Sequence, residues 1–151
     1  VLDKGILRLR NLQQGDYIRS SLMPGMVDAD NPAWKEWTTD SSEGELKWSQ
    51  VRSAFLTTYS QHYLINDLRI TTDHHMFVKK GSTWGWVLSQ DVAVGDTILT
   101  QQGEQEVTKH ELVSEPLEVS VINVEPYDCY FAGTTPILVH NLNETDNIKK
   151  N

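Results

Sequence analysis

Two stretches of this sequence hold residues whose types and spacing suit chemistry. The first is ILVHN, residues 137 to 141, followed by Leu142 and the polar segment LNETDNIKKN. An aliphatic run that ends on His140 and Asn141 has two readings: a core strand stops there and the chain frays, or the pair cuts the chain. The second stretch is LRITTDHHMFV, residues 68 to 78, in which Thr71 and His74 form a Thr-x-x-His element where a strand gives way to a turn. A hydroxyl and an imidazole so placed can point toward one spot, whereas such a histidine alone reads as a hydrogen-bonded turn residue. His74 and His75 are neighbours, and neighbouring strand residues face opposite ways, so they make a poor chelating pair and no metal or other cofactor is expected. Cys129 is the single cysteine of the 151 residues, which excludes a disulfide or a thiolate-cage zinc site within them. It reads as a small buried apolar residue or, if its pKa is lowered, as a nucleophile or proton relay.

The elements that must position these residues are mostly short strands. ILRLR (6 to 10), DYIRS (16 to 20), FLTTY (55 to 59), YLIND (63 to 67), LRITT (68 to 72), HMFVKK (75 to 80), WGWVLS (84 to 89), DTILTQ (96 to 101), LEVSVINVE (117 to 125), CYFAG (129 to 133) and PILVH (136 to 140) are rich in β-branched and aromatic residues. Several alternate at period two, and Gly, Asp, Asn and Pro separate them, so the fold class is all-β. From Ser21 to Lys47 the sequence turns polar and irregular, and predicts a long loop with a helical turn around Trp34 and Trp37. NLQQGDYIRS (11 to 20) and DVAVGDTILT (91 to 100) share an apolar-x-x-Gly-Asp-x-Ile pattern. Gly-Asp alone is ordinary turn chemistry; with matched apolar flanks it predicts two related β halves.

Composition narrows the function. A net charge of -8 and a pI near 5.0 argue against a phosphate-binding surface, so no nucleic-acid partner is expected. No apolar run approaches the ~20 residues of a membrane helix, and no membrane partner is expected either. A conventional hydrolase acting in trans finds no support, because G-x-S-x-G, H-E-x-x-H and P-loop patterns are all missing.

Taken together and in order, the blocks resemble the Hint superfamily, the self-processing domains of inteins, bacterial intein-like proteins and the hedgehog C-terminal region. GILRLRNLQQGDYI is similar to the later part of the family's first block, LRITTDHHMFV with the following W-x-x-x-x-D-x-x-x-GD to its second, and VINVEPYDCYFAG with PILVHN to its closing blocks. The resemblance spans nearly all of residues 5 to 141. It implies a Hint-type horseshoe of short strands with pseudo-twofold symmetry, a Hint domain over 1 to 141 and a C-terminal tail over 142 to 151. It also implies roles. The side-chain amide of Asn141 would attack its own main-chain carbonyl, closing a succinimide and releasing the chain from Leu142, with His140 as general acid. Thr71 and His74 would polarise the peptide bond at the other junction, and Asp73 would orient that site. Asn123 stands at the position of the family's penultimate-block acid, and Asp128 or Cys129 replaces a nearby histidine.

Two departures set limits. The chain begins Val1-Leu2-Asp3-Lys4-Gly5 where the family has a Cys or Ser nucleophile, as if it starts partway into that block. Leu142 occupies the position where splicing needs Cys, Ser or Thr, and leucine cannot accept an acyl group. The expected residual activity is cleavage at Asn141-Leu142, with flanking host-protein segments as partners and a location that follows the host, cytoplasmic or virion. The alternative is an inactive Hint scaffold serving as a structural or interaction module, for instance of a phage virion protein, with Trp34 and Trp37 as contact residues.

Overall fold

The computed structural model describes residues 11 to 141; the strand expected at 6 to 10, and Leu142 with the tail after it, lie outside them. The described residues are all-β apart from 3₁₀ turns. In chain order the strands are β1 Tyr17–Leu22, β2 Thr38–Thr39, β3 Glu45–Tyr59, β4 His62–Ile65, β5 Leu68–Ile70, β6 His75–Lys80, β7 Thr83–Leu88, β8 Thr97–Thr100, β9 Gly103–Glu106, β10 His110–Val113, β11 Leu117–Glu125, β12 Cys129–Ala132 and β13 Ile137–His140. They form a β1-β3-β11 sheet, a β10-β4-β5 sheet and a seven-stranded sheet in the order β12-β13-β8-β6-β7-β2, with β9 paired to β8. No helix among the described residues is long and apolar enough to cross a membrane.

The central strands are apolar at consecutive positions because both their faces are covered. Along β6, Met76 and Val78 enter one buried cluster and Phe77 the other; Ile137 and Val139 of β13 divide from Leu138 in the same way. The first cluster is mostly aliphatic, with Tyr130 among its members, and the second is built around Trp34, Phe77, Trp84 and Trp86. His140 is the next residue along β13 on the aromatic side, so the strand that packs the core also delivers it to the site.

The two Gly-Asp turns match bond for bond. Gly15 N–H donates to Val51 O (2.8 Å) and Val51 N–H to Asp16 O (2.7 Å); Gly95 N–H donates to Val107 O (2.9 Å) and Val107 N–H to Asp96 O (2.8 Å). The carboxylates of Asp16 and Asp96 accept from Gln13 N (3.0 Å) and Ala93 N (2.8 Å). Leu12 and Val92, and likewise Ile18 and Ile98, are buried. The sequence echo is therefore a structural repeat.

The loop expected through Lys47 is shorter, because β3 begins at Glu45 and runs 15 residues. Its first half pairs with β1, from Leu22↔Glu45 to Tyr17↔Gln50, and its second half with β11. Backbone pairing along a ribbon overrides the weak strand propensity of Glu45, Lys47 and Ser49. The charged strands β9 and β10 form at exposed edges in the same way.

Gly133 sits at φ +99 in the β12–β13 turn, where an added Cβ would lie 3.0 Å from Leu68 Cδ1 and 3.3 Å from Thr135 O; Gly81, at φ +66, has open space. Alanine at either position is expected to cost about 1–2 kcal/mol for the left-handed backbone. Gly133→Ala should cost more than Gly81→Ala because Leu68 must also shift, and urea-unfolding midpoints of the two variants check the order.

Candidate functional site

The site is assembled where β13 ends. Cys129 pairs with His140 and Val139 with Met76, and Asn141 N–H extends the hairpin by donating to Asp128 O at 2.8 Å. The Asn141 side chain then crosses to β11. Its Oδ1 accepts from Val124 N at 3.0 Å, and its Nδ2 donates to Val124 O and to Asn123 Oδ1, both at 3.0 Å. A strand residue's N–H and C=O point the same way, so Val124 offers both groups to one carboxamide, as a paired strand would. The β3–β11 register slips by one residue between Asn123 and Val124, leaving Arg52 of β3 unmatched, so a bulge in β3 lies opposite this part of β11.

His140 follows a different direction. Its Nδ1 lies 3.2 Å from Asn141 O, the carbonyl of the Asn141-Leu142 bond. Burial pushes its pKa down to about 3, opposed by that bond and reinforced by His75, His74 and Lys35. The ring is neutral at ordinary pH, and because a carbonyl only accepts, Nδ1 carries the proton. His74 Nε2 lies 2.6 Å from His140 O; burial lowers its pKa too, against that bond and Asp73, so it is likewise a neutral donor. The peptide unit between His140 and Asn141 is thus held at its oxygen by His74 and at its nitrogen by Asp128 O.

The structure brings Asn123, His74, His140 and Asn141 together. Thr71 is buried close by in the chain: its carbonyl accepts from Ser89 Oγ (2.5 Å) and from His74 N (3.4 Å). Its hydroxyl has no hydrogen-bond partner among the described residues. Asp73 is exposed and acts on His74 and His75 only through its charge.

The structure decides between readings at three places. The Cys129 thiol is fully buried, donates to Ser21 O at 3.3 Å, and burial raises its pKa to about 11. It is a core residue, because the lowered pKa that a nucleophile needs is replaced by its opposite. The Asp128 carboxylate turns away from Asn141 and accepts from Ala29 N at 3.0 Å, so this residue serves Asn141 with its backbone carbonyl alone. Trp34 is not a surface contact residue: it is 5% exposed and stacks on His140, ring centroids 3.9 Å apart and planes within 4°. Trp37, partly buried, packs on Phe77. Sequence reasoning also missed Trp86, whose ring stands nearly perpendicular to that of His140 with centroids 4.9 Å apart, and His75, whose ring is T-shaped to Trp34. His75 is only one residue from the Thr-x-x-His element, and burial takes its pKa to about 4.

No family model matches the sequence, and no curated protein sequence matches it. Solved structures do. A bacterial intein-like domain from Clostridium thermocellum superposes with a TM-score of 0.65 at 24% identity, over 92% of this chain and 91% of that one. This chain has the intein fold. A DnaB intein from Synechocystis matches with a TM-score of 0.55 at 13% identity, over 85% of this chain and 80% of that chain. The TvoVMA intein matches at 0.58 and 18%, over 67% and 66%. The Hint architecture implied by the ordered blocks is therefore the architecture observed, and Asn141 follows the last strand among the described residues.

Burial raises the Asp128 pKa to about 6 from an ordinary 3.8, with the Ala29 N–H bond opposing and Asp28 and Asp30 adding to the rise. Between those values the folded chain keeps a proton that the unfolded chain releases, so this group's contribution to stability declines as pH rises through the window. Asp128→Asn preserves an acceptor for Ala29 N–H. It is expected to be more stable than the parent at pH 7, with the difference vanishing near pH 4; thermal unfolding at the two pH values measures it.

Proposed function

We propose that this chain is an autoprocessing domain that cuts its own backbone after Asn141 by asparagine cyclisation. The observation that carries the reading is the pairing of roles at one residue: the Asn141 carboxamide is held by Val124 and Asn123 while the carbonyl it would attack accepts from His140 Nδ1. The reaction forms a bond between Asn141 Nδ2 and the Asn141 carbonyl carbon and breaks the bond from that carbon to the Leu142 nitrogen. One proton leaves Nδ2 and one arrives on the Leu142 nitrogen, so no water is consumed.

An amide nitrogen is a poor nucleophile, and the site addresses this in two ways. Both Nδ2 protons are given to carbonyl acceptors, which leaves electron density on the nitrogen and limits the rotations the side chain must lose on the way to attack. The oxyanion that develops on Asn141 O is met by a donor already in place in a buried site, where such a hydrogen bond is strongest. His74, by fixing His140 O, keeps the peptide plane from swinging away. His140 therefore serves as a neutral hydrogen-bond donor to the developing oxyanion rather than as an imidazolium acid.

Leu142 carries no nucleophile, so the outcome is cleavage without acyl transfer to the downstream segment, and the reaction's partners are the flanking parts of the same polypeptide. Thr71 and His74 are assigned to the upstream junction. There the Thr71 hydroxyl, which has no hydrogen-bond partner among the described residues, is the polarising donor, and His74, bonded to His140 O, links the two ends of the reaction.

The reading is tested by following release of residues 142 to 151 by intact mass over a day near neutral pH. Release is expected from the parent and not from Asn141→Ala. His140→Ala should slow it by roughly a hundredfold to a thousandfold, the usual loss for an oxyanion donor. Equal behaviour of parent and Asn141→Ala would defeat the reading. Because His140 stays neutral down to about pH 3, the release rate should not decline between pH 5 and 8. An imidazolium acid with an ordinary pKa would instead lose about tenfold per pH unit above it.

A further inference from the structure

We propose that Trp34 is a positioning residue for this reaction: its indole, carried in by the loop between β1 and β3, holds the His140 imidazole with Nδ1 toward the Asn141 carbonyl. The inference rests on the cyclisation reading above. His140 has two side-chain torsions, and its hydrogen bond to Asn141 O, at 3.2 Å, leaves the ring plane weakly defined. Trp34 lies flat on one face of the ring, 3.9 Å between centroids and 4° between planes, and Trp86 stands nearly perpendicular to it at 4.9 Å and 77°. One parallel plate and one perpendicular plate define the ring plane that a single hydrogen bond does not.

The loop is built to hold Trp34 there. Asn31 caps the 3₁₀ turn Pro32–Lys35, its side chain accepting from Ala33 N at 3.0 Å, with Pro32 in the first turn. Upstream, Ala29 N–H donates to the carboxylate of Asp128, the residue whose backbone oxygen holds Asn141. Downstream, β2 pairs with β7, Thr38 opposite Gly85 and Thr39 opposite Trp84. A side chain at Gly85 would meet Trp37 O at 3.3 Å, so the glycine permits this close approach. The loop is thus tied on one side to the residue that holds the nucleophile and on the other to the strand that carries Trp86.

Trp34 also closes His140 off from water. The groups that bear on the imidazole are Lys35 from the loop, His74 and His75 at the start of β6, Trp86 from β7 and Asn141 from its own strand. Lys35, the charged group among them, disfavours a protonated ring, and removing the indole admits water, which favours it.

The test compares Trp34→Ala, Trp34→Phe and Trp37→Ala, the last removing a second aromatic of the same loop that stacks on Phe77. Release of residues 142 to 151 is followed from pH 5 to 8. In parallel, His140 is titrated by NMR in chains that also carry Asn141→Ala and stay whole. Trp34→Ala is expected to slow release about tenfold at neutral pH, the scale of one lost aromatic pair, and to make the rate fall as pH rises. It should move the His140 midpoint up from about 3 toward its ordinary 6.5. Trp34→Phe, which keeps a flat apolar face, should recover most of the rate and the low midpoint. If Trp34→Ala matches Trp37→Ala in rate, pH profile and His140 midpoint, the indole only fills space and the proposal is overturned. A Trp34→Ala chain that does not fold leaves the decision to Trp34→Phe, for which a parent-like midpoint is expected and a midpoint near 6.5 would overturn the proposal. A parent chain that never cleaves would sink the cyclisation reading, and the titration would still decide whether Trp34 holds the ring.

Discussion

The arrangement depends on one side chain acting as a strand. The carboxamide of Asn141 presents a donor and an acceptor to the backbone of Val124, so the last residue of the β12–β13 hairpin is fastened to β11 although β13 and β11 are not paired. Much of the surrounding structure follows from what this requires. β11 must present Val124 to the end of β13, and the register slip that leaves Arg52 of β3 unmatched lies at that point. β13 must arrive at a fixed depth, which its burial on both faces ensures. The peptide before Asn141 must not rotate, and it is tied at its oxygen to His74 and at its nitrogen to Asp128.

Burial also sets the electrostatic character of the site. His74, His75 and His140 all have lowered pKa values, chiefly through burial, which favours the neutral form of each. Chemistry that needs a charged acid is disfavoured in such surroundings, whereas chemistry that needs aimed dipoles is helped, since hydrogen bonds strengthen as water is excluded. The same burial, acting on acids, raises the Asp128 carboxyl and the Cys129 thiol. It removes Cys129 from consideration as a nucleophile and gives Asp128 a structural task, clipping the Trp34 loop to the hairpin.

Much of the site was legible in the sequence because its chemistry is local. His140 and Asn141 adjoin, Thr71 and His74 are three positions apart on a strand end, and Asn123 lies on a strand that reads clearly as β. The repeated Gly-Asp turns were legible for the same reason, since each is closed by bonds within a few residues and to one neighbouring strand. Trp34 was not legible: it lies in a polar stretch without periodicity, and only the closure of that loop over β6, β7 and β13 makes it a neighbour of His140. The 15-residue span of β3 was hidden likewise, because ELKWSQ has little strand propensity and becomes a strand by pairing with β1. The roles of Asp128 and Cys129 stayed open though their place was legible. Residue spacing cannot tell a carboxylate or thiol facing the site from one facing the neighbouring loop.

The central claim is that the bond after Asn141 is broken by its own side chain and not by water, and the mass of the 1 to 141 fragment tests it most directly. The fragment is collected early, quenched in acid and compared with the mass calculated for a free C-terminal asparagine. Cyclisation predicts a fragment lighter by one water, later gaining that water as the ring opens to a mixture of asparagine and isoasparagine. A fragment that carries the full water from the earliest time, or an uncut chain, would contradict the account.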